Sequence, residues 1–170
     1  MTIFQIVGII AGLAQLIGYI DYISFVKRGV INPSTGSWLI WSYGNAIVCW
    51  IYILGGTLSF QETLPFVCSI ACMLTGLYFL YLRKFERPEW WEYLVLSVDV
   101  LITIYWLKTR DTELAQTLLQ ISVMISFIPI LRGVWINPNT ERKRPWIIWS
   151  IAYALLFFAE SPYIYMWREH

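Results

Sequence analysis

Two aspartates stand where a charge is costly. Asp99 lies near the middle of an apolar run from about Trp91 to Leu107, and Asp21 lies about one turn inside the end of another, from about Ile3 to Val26. A charged side chain at the centre of a bilayer costs about 2.5–3.5 kcal/mol even on the gentlest insertion scale. Such a carboxyl must be protonated, paired or wetted, and the chemistry it offers is reversible proton binding. Asp99 has no embedded lysine or arginine as a partner, whereas Asp21 has Lys27 and Arg28 near its own helix end. Both are candidate proton-coupling residues. Glu160, just before Pro162, sits near the outer end of the last apolar stretch, where an interfacial position suffices.

A second set of residues offers surfaces. Trp38, Trp41, Asn45, Cys49 and Tyr52 recur at steps of three and four, and so do Trp146, Trp149, Tyr153, Phe157 and Glu160. Each set therefore lies on one helix face. Tryptophan presents a flat apolar wall and one N–H donor. Two such faces opposed make a cleft for a small solute with flat and polar parts. Trp41, Asn45, Trp149 and Tyr153 are the deeper members, and Gln15 and Tyr19 of the first apolar stretch stand beside them as candidate substrate-binding residues. The competing reading is the aromatic belt at a membrane interface. Trp90, Trp91, Trp106 and Trp167 fit that belt, and Trp38 and Trp146 are assigned to it as well.

Catalysis finds no foothold. There is no HExxH, no glycine-rich phosphate loop and no acid pair at hydrolytic spacing. The histidine count is one, His170, and the three cysteines, Cys49, Cys68 and Cys72, all fall in apolar stretches. They read as packing residues, with no disulfide framework and no metal. No catalytic residue, no metal site and no cofactor is expected.

The elements that position these residues are membrane helices. Of 170 residues 58% are hydrophobic and 14% charged, against about 25% charged in a soluble domain, and the mean hydropathy is +0.60. Six stretches approach the roughly 20 residues that a crossing helix needs: about Ile3–Val26, Trp38–Leu54, Leu64–Leu82, Trp91–Leu107, Leu114–Leu131 and Trp146–Met166. Lipid cannot satisfy a bare backbone, so helices are the default, and the short alternating strands of a barrel are missing. The fold class is all-α, a polytopic bundle of about six transmembrane helices in a single membrane domain over 1–170. The first stretch lacks a positive n-region and reads as a structural helix rather than a secretion signal. The net charge is +1 and there is no basic arm, so no nucleic-acid partner is expected.

The chain also repeats a phrase. Arg28-Gly29-Val30-Ile31-Asn32-Pro33 returns as Arg132-Gly133-Val134-Trp135-Ile136-Asn137-Pro138, and each copy leads to Trp-x-Ile-Trp-Ser. Asn-Pro ends a helix and holds a turn. Ser37 stands as an N-cap of the second span and Pro145 as a first-turn proline of the sixth. Gly8 and Gly12 allow close contact of the first helix with a neighbour, and Pro129 predicts a kink in the fifth. Lys27, Arg28, Arg83, Lys84, Arg87, Arg132, Arg142, Lys143 and Arg144 follow odd spans, whereas Lys108, Arg110 and Arg168 lie on the other side. The positive side is cytoplasmic. Both phrases then fall in cytoplasmic loops, with both termini outside a plasma (inner) membrane. Parallel repeats explain the duplication: repeat one at about 3–83, a linker helix at about 90–108, and repeat two at about 113–167.

This arrangement resembles the PQ-loop and SWEET-like superfamily of small transporters, in which two parallel three-helix repeats flank a linker helix and the defining loops follow the first and fifth helices. The Pro-Gln pair of that family is replaced here by Pro33-Ser34 and Pro138-Asn139, and six spans stand where seven are usual. The resemblance implies carriage of a small polar solute by alternating access around a midplane site, with Asp21 or Asp99 as the proton partner. The alternative is a membrane receptor or assembly factor that binds a ligand or protein without carrying it. The expected partners are a small-molecule solute and the bilayer, and a homodimer is one way to complete a six-helix unit.

Overall fold

In the computed structural model, residues 3–55, 63–82 and 88–166 are described. They form helices α1 (Ile3–Lys27), α2 (Thr35–Gly55), α3 (Thr63–Tyr81), α4 (Trp90–Thr109), α5 (Thr112–Ile125), α6 (Ile128–Ile136) and α7 (Lys143–Met166), and no strand occurs among the described residues. Arg83, Lys84, Arg87, Trp167, Arg168 and His170, and the side chains of Tyr52 and Glu160, lie outside the described residues.

Burial on α1 shows which solvent the molecule is built for. Its inner face carries Gly8, Gly12, Gln15, Gly18, Tyr19 and Tyr22. Its outer face exposes Ile3, Ile6, Ile10, Leu13, Ile17 and Ile20, spaced at three and four residues. On α4, Glu92, Asp99 and Thr103 are buried while Leu94, Val98, Leu101 and Ile104 are exposed. Small and polar groups point inward and large aliphatic groups outward, the arrangement that lipid rather than water rewards. Among the described residues three helical rods are long and apolar enough to cross a membrane: Ile3–Lys27, Trp90–Thr109 and Thr112–Ile136.

The third of these rods is broken between α5 and α6. Pro129 has no N–H to give the carbonyl one turn before it, so the helix stops at Ile125, and Phe127 N–H turns to the Met124 carbonyl at 3.2 Å. Ser37 Oγ donates to the Ser126 carbonyl at the break, 2.7 Å away. Ser37 is therefore a tie between α2 and the break and not the expected helix cap. Ser34 Oγ caps α2 instead, accepting from Ser37 N–H at 3.4 Å.

α3 lies between α1 and α2, α7 packs along α1, and α2 leans on α4 and α5. The main core joins Tyr19, Tyr22, Trp38, Trp41, Phe79 and Trp149, and a second one joins Ile47, Val48 and Ile51 to Ile102, Trp106, Ala115 and Leu119. Two expected belt residues are thus core residues. Trp38 is 0% exposed, and Trp106 is buried against Trp50, with the Arg110 guanidinium over its ring. Trp90, 77% exposed at the start of α4, keeps its surface position. Spacing puts a tryptophan on a face, but the neighbouring helix decides whether that face is covered.

The two copies of the repeated phrase differ in backbone. Gly29 takes a left-handed φ of 67°, and Val30 N–H reaches back to the Phe25 carbonyl at 3.0 Å, which ends α1. Gly133 stays inside α6, so the second copy is helical as far as Ile136.

Candidate functional site

A cavity of about 200 Å³ opens where α1, α2, α3, α5 and α7 meet, lined by Gln15, Tyr19, Trp38, Trp41, Asn45, Cys68, Cys72, Val123, Phe127, Trp146, Trp149, Ser150 and Tyr153. One water takes roughly 30 Å³ of liquid volume, so the space holds several waters or one small solute. All six residues singled out for solute contact, Gln15, Tyr19, Trp41, Asn45, Trp149 and Tyr153, come together on its wall.

The aromatic part of the wall is one continuous set of rings. Trp149 packs on Tyr19 with centroids 5.2 Å apart and on Trp146 at 5.2 Å. Trp41 packs on Phe127 at 4.9 Å and on Trp146 at 6.3 Å. These tilted and edge-on contacts fix the planes of the rings. Trp149 reaches its place because Gly18 leaves room: a Cβ there would lie 2.3 Å from its Nε1. Nε1 donates to the Gln15 carbonyl at 3.3 Å.

The polar part centres on a thiol. Cys68 Sγ accepts from Gln15 Nε2 at 3.5 Å and lies 3.3 Å from Tyr19 OH and 3.6 Å from Tyr153 OH. Asn45 Nδ2 donates to the Trp41 carbonyl at 2.8 Å, which leaves its second N–H and its oxygen. Three buried atoms of wall residues have no protein partner: Gln15 Oε1, an acceptor, and the donors Trp38 Nε1 and Trp41 Nε1. Among the described lining residues none carries a charge.

Sequence reasoning missed Cys68 and Cys72 of α3, which it read as packing. Their spacing of four placed them on one face, but nothing in that spacing says the face meets Gln15 and Tyr153. Phe127, Trp146 and Ser150 were missed as well. Phe127 enters the wall because the break before Pro129 turns the chain there.

Neither aspartate lines the cavity. Asp99, 0% exposed, packs against α5 near Ser122, yet neither of its oxygens, nor Ser122 Oγ, makes a hydrogen bond. Asp21 pairs with neither Lys27 nor Arg28 but with Arg144 of α7, Nε to Oδ2 at 3.2 Å, a charge contact without hydrogen-bond alignment.

Both repeated loops meet at a second space, a vestibule of about 420 Å³ lined by Gly29 to Ser34 from one, Gly133, Thr140 and Glu141 from around the other, and Glu89, Glu92, Pro129 and Ile130. Glu92 accepts from Glu89 N–H at 2.7 Å. Glu141 accepts from Tyr22 OH at 3.1 Å and from Trp146 Nε1 at 3.2 Å. Burial pushes the Glu141 carboxyl above its ordinary value, and the two hydrogen bonds offset only part of that rise.

No known family, characterised protein or solved structure matches this chain. Its function must be argued from the cavity. No group of three His, Cys, Asp or Glu side chains converges among the described residues. The wall offers stacking surfaces, the free acceptor Gln15 Oε1 and the free indole donors of Trp38 and Trp41.

Proposed function

We propose that this protein is a membrane carrier for a small, uncharged polar solute, working by alternating access between two helix repeats, α1–α3 and α5–α7, with α4 as the linker. The observation that carries the reading is the central cavity, where six residues chosen from helical spacing line one solute-sized space. α4 packs on α2 and α5, which suits a linker between halves. Both repeated loops border one vestibule, which suits loops on the same side of the membrane. In this reading six helices cross a plasma (inner) membrane, the vestibule faces the cytoplasm and both termini lie outside. The resemblance to PQ-loop and SWEET-like carriers is part of the same proposal.

The character of the solute follows from the wall. A charged solute would lose its hydration in an aromatic space without a counter-charge, at a cost of several kcal/mol. A flat neutral solute with a donor for Gln15 Oε1 and acceptors for the Trp38 and Trp41 Nε1 groups satisfies the unpartnered atoms and stacks on the rings.

The test is a thermal-shift screen of purified protein against neutral sugars, vitamins and nucleosides, with amino acids and organic anions as the charged set. A bound solute raises the unfolding temperature by mass action. Neutral hits are then followed as flux into proteoliposomes. Stabilisation by charged compounds alone refutes the solute class. Tight binding without flux refutes transport and leaves a receptor.

A further inference from the structure

Between the cavity and the vestibule stands a thin partition. Phe127 and Trp146 form its cavity side, and Ile130 and Glu141 its vestibule side. Glu141 is the polar member. One oxygen accepts from Tyr22 OH of α1 and the other from Trp146 Nε1 of α7, so this loop residue ties together the two helices that carry Gln15, Tyr19, Trp149 and Tyr153. Tyr22 in turn packs on Trp149 at 5.6 Å and on Trp38 at 5.3 Å. Whatever moves Glu141 moves the ring that closes the partition.

Charge decides the direction. Other titratable or charged groups around Glu141 are Glu89 and Glu92 across the vestibule, Arg142 and Lys143 beside it in sequence, and the Asp21–Arg144 pair between α1 and α7. Arg144 is engaged by Asp21, and Arg142 and Lys143 are exposed. An ionised Glu141 is therefore half-buried on two neutral donors, facing a vestibule that holds two further acids. A protonated Glu141 keeps both contacts, because its carbonyl oxygen accepts from the indole and its hydroxyl donates to the Tyr22 oxygen, which can serve as either partner. Protonation removes the desolvation cost and leaves the ties in place. Ionisation restores the cost, and only entry of water from the vestibule relieves it.

The geometry points to Glu141 as a proton-operated positioning residue: with a proton it holds Trp146 and keeps the cavity shut from the vestibule, and on losing that proton it lets the partition open. The proton comes from and returns to the vestibule solvent. This rests on the carrier reading for its purpose, since a carrier gains from releasing proton and solute on the same side. The latch itself is testable without any solute. Proton coupling then belongs to Glu141 rather than to Asp21, which is ion-paired, or Asp99, which does not line the cavity.

The experiment uses the full chain in nanodiscs, with 5-fluorotryptophan label and Cys68 as the remaining thiol after Cys49→Ser and Cys72→Ala. The Trp146 fluorine resonance, assigned by Trp146→Phe, reports the tie, and alkylation of Cys68 by a polar maleimide reports opening. Glu141→Gln keeps an acceptor and a donor and mimics the protonated form, so it stays shut at every pH. Dividing the unmutated rate by the Glu141→Gln rate at each pH removes the intrinsic chemistry of the thiol. The expected ratio rises with pH, from near one where Glu141 is protonated to about tenfold where it is ionised, which is about 1.4 kcal/mol of differential desolvation. The Trp146 resonance titrates in the unmutated chain and is flat in Glu141→Gln, and Glu141→Asp restores a titration. Tyr22→Phe, which removes little volume but takes away a bond that favours the ionised carboxyl, opens at higher pH and serves if Glu141→Gln does not fold. A Trp146 resonance that titrates equally with and without Glu141 overturns the proposal, and so does a Cys68 ratio that stays at one. Loss of solute flux with both readouts intact counts against the carrier reading alone.

Discussion

Gly18→Ala is the most exacting test of the cavity. The added methyl would lie 2.3 Å from Trp149 Nε1, 2.5 Å from Cδ1 and 3.0 Å from Cε2. Carbon contacts are optimal at about 3.5–4.0 Å, so the indole must retreat by roughly 1 Å or more. It cannot retreat freely, because Trp146, Tyr19 and Tyr22 pack around it. Over-packing of this kind costs about 1–3 kcal/mol, and loss of the bond from Nε1 to the Gln15 carbonyl adds about 1 kcal/mol. Alanine in place of glycine in a helix ordinarily returns about 0.5–1 kcal/mol. The net expectation is a loss of about 1–3 kcal/mol, opposite in sign to the usual effect. Gly44→Ala is the control, since its methyl would meet only Val123 Cγ2 at an ordinary 3.6 Å, and it should be neutral or stabilising. The assay is thermal unfolding of purified protein, where each kcal/mol moves the midpoint by roughly 2–4 °C in a chain of this length. Trp149→Phe, with a smaller ring, should recover part of the loss in the Gly18→Ala background, read as the coupling term of a double-mutant cycle. Equal midpoints for Gly18→Ala and Gly44→Ala, with solute stabilisation unchanged in both, would refute the claim that Trp149 is seated on Gly18 as a cavity wall.

Three further expectations concern the acids. Asp99→Asn should raise the unfolding midpoint by the equivalent of about 1 kcal/mol at neutral pH, because it replaces a buried carboxyl with no hydrogen-bond partner by a group that can donate to Ser122. The same variant should leave solute stabilisation intact, which a thermal shift with a neutral hit checks directly. Arg144→Ala should cost no more than about 1 kcal/mol, since the arginine is largely exposed, and the effect should shrink in high salt. Burial holds the Glu141 carboxyl above its ordinary 4.5, so the folded chain binds this proton more tightly than the unfolded one. Stability from this group is therefore full below that ordinary value and is lost as pH rises through the folded value. Unfolding midpoints of Glu141→Gln compared with the unmutated chain across pH 4–8 should diverge with rising pH, the variant being the more stable.

The misplaced residues show where spacing stops being informative. Trp38 and Trp106 look like interface residues because they stand near helix ends, yet Trp38 is covered by Tyr19, Tyr22 and Phe79 and Trp106 by Trp50. Ser37 has the type and place of a cap, but the carbonyl bared at the break between α5 and α6 competes for its hydroxyl and wins it. Cys68 carries no signal beyond being apolar and one turn from Cys72. Its role as the meeting point of Gln15, Tyr19 and Tyr153 arises from α3 lying between α1 and α2.

Composition and periodicity alone determined that the chain is helical and which residues share a face. Helical geometry is local, so a step of three or four residues is enough to place Trp41 over Asn45 and Trp149 over Tyr153. Tertiary structure decided which faces meet: Arg144 with Asp21, Glu141 with Tyr22, Trp149 with Gly18, and Cys68 with Gln15. Those pairings depend on how closely two helices can approach and where a proline breaks a rod, and each is settled by the shape of a partner far away in the chain.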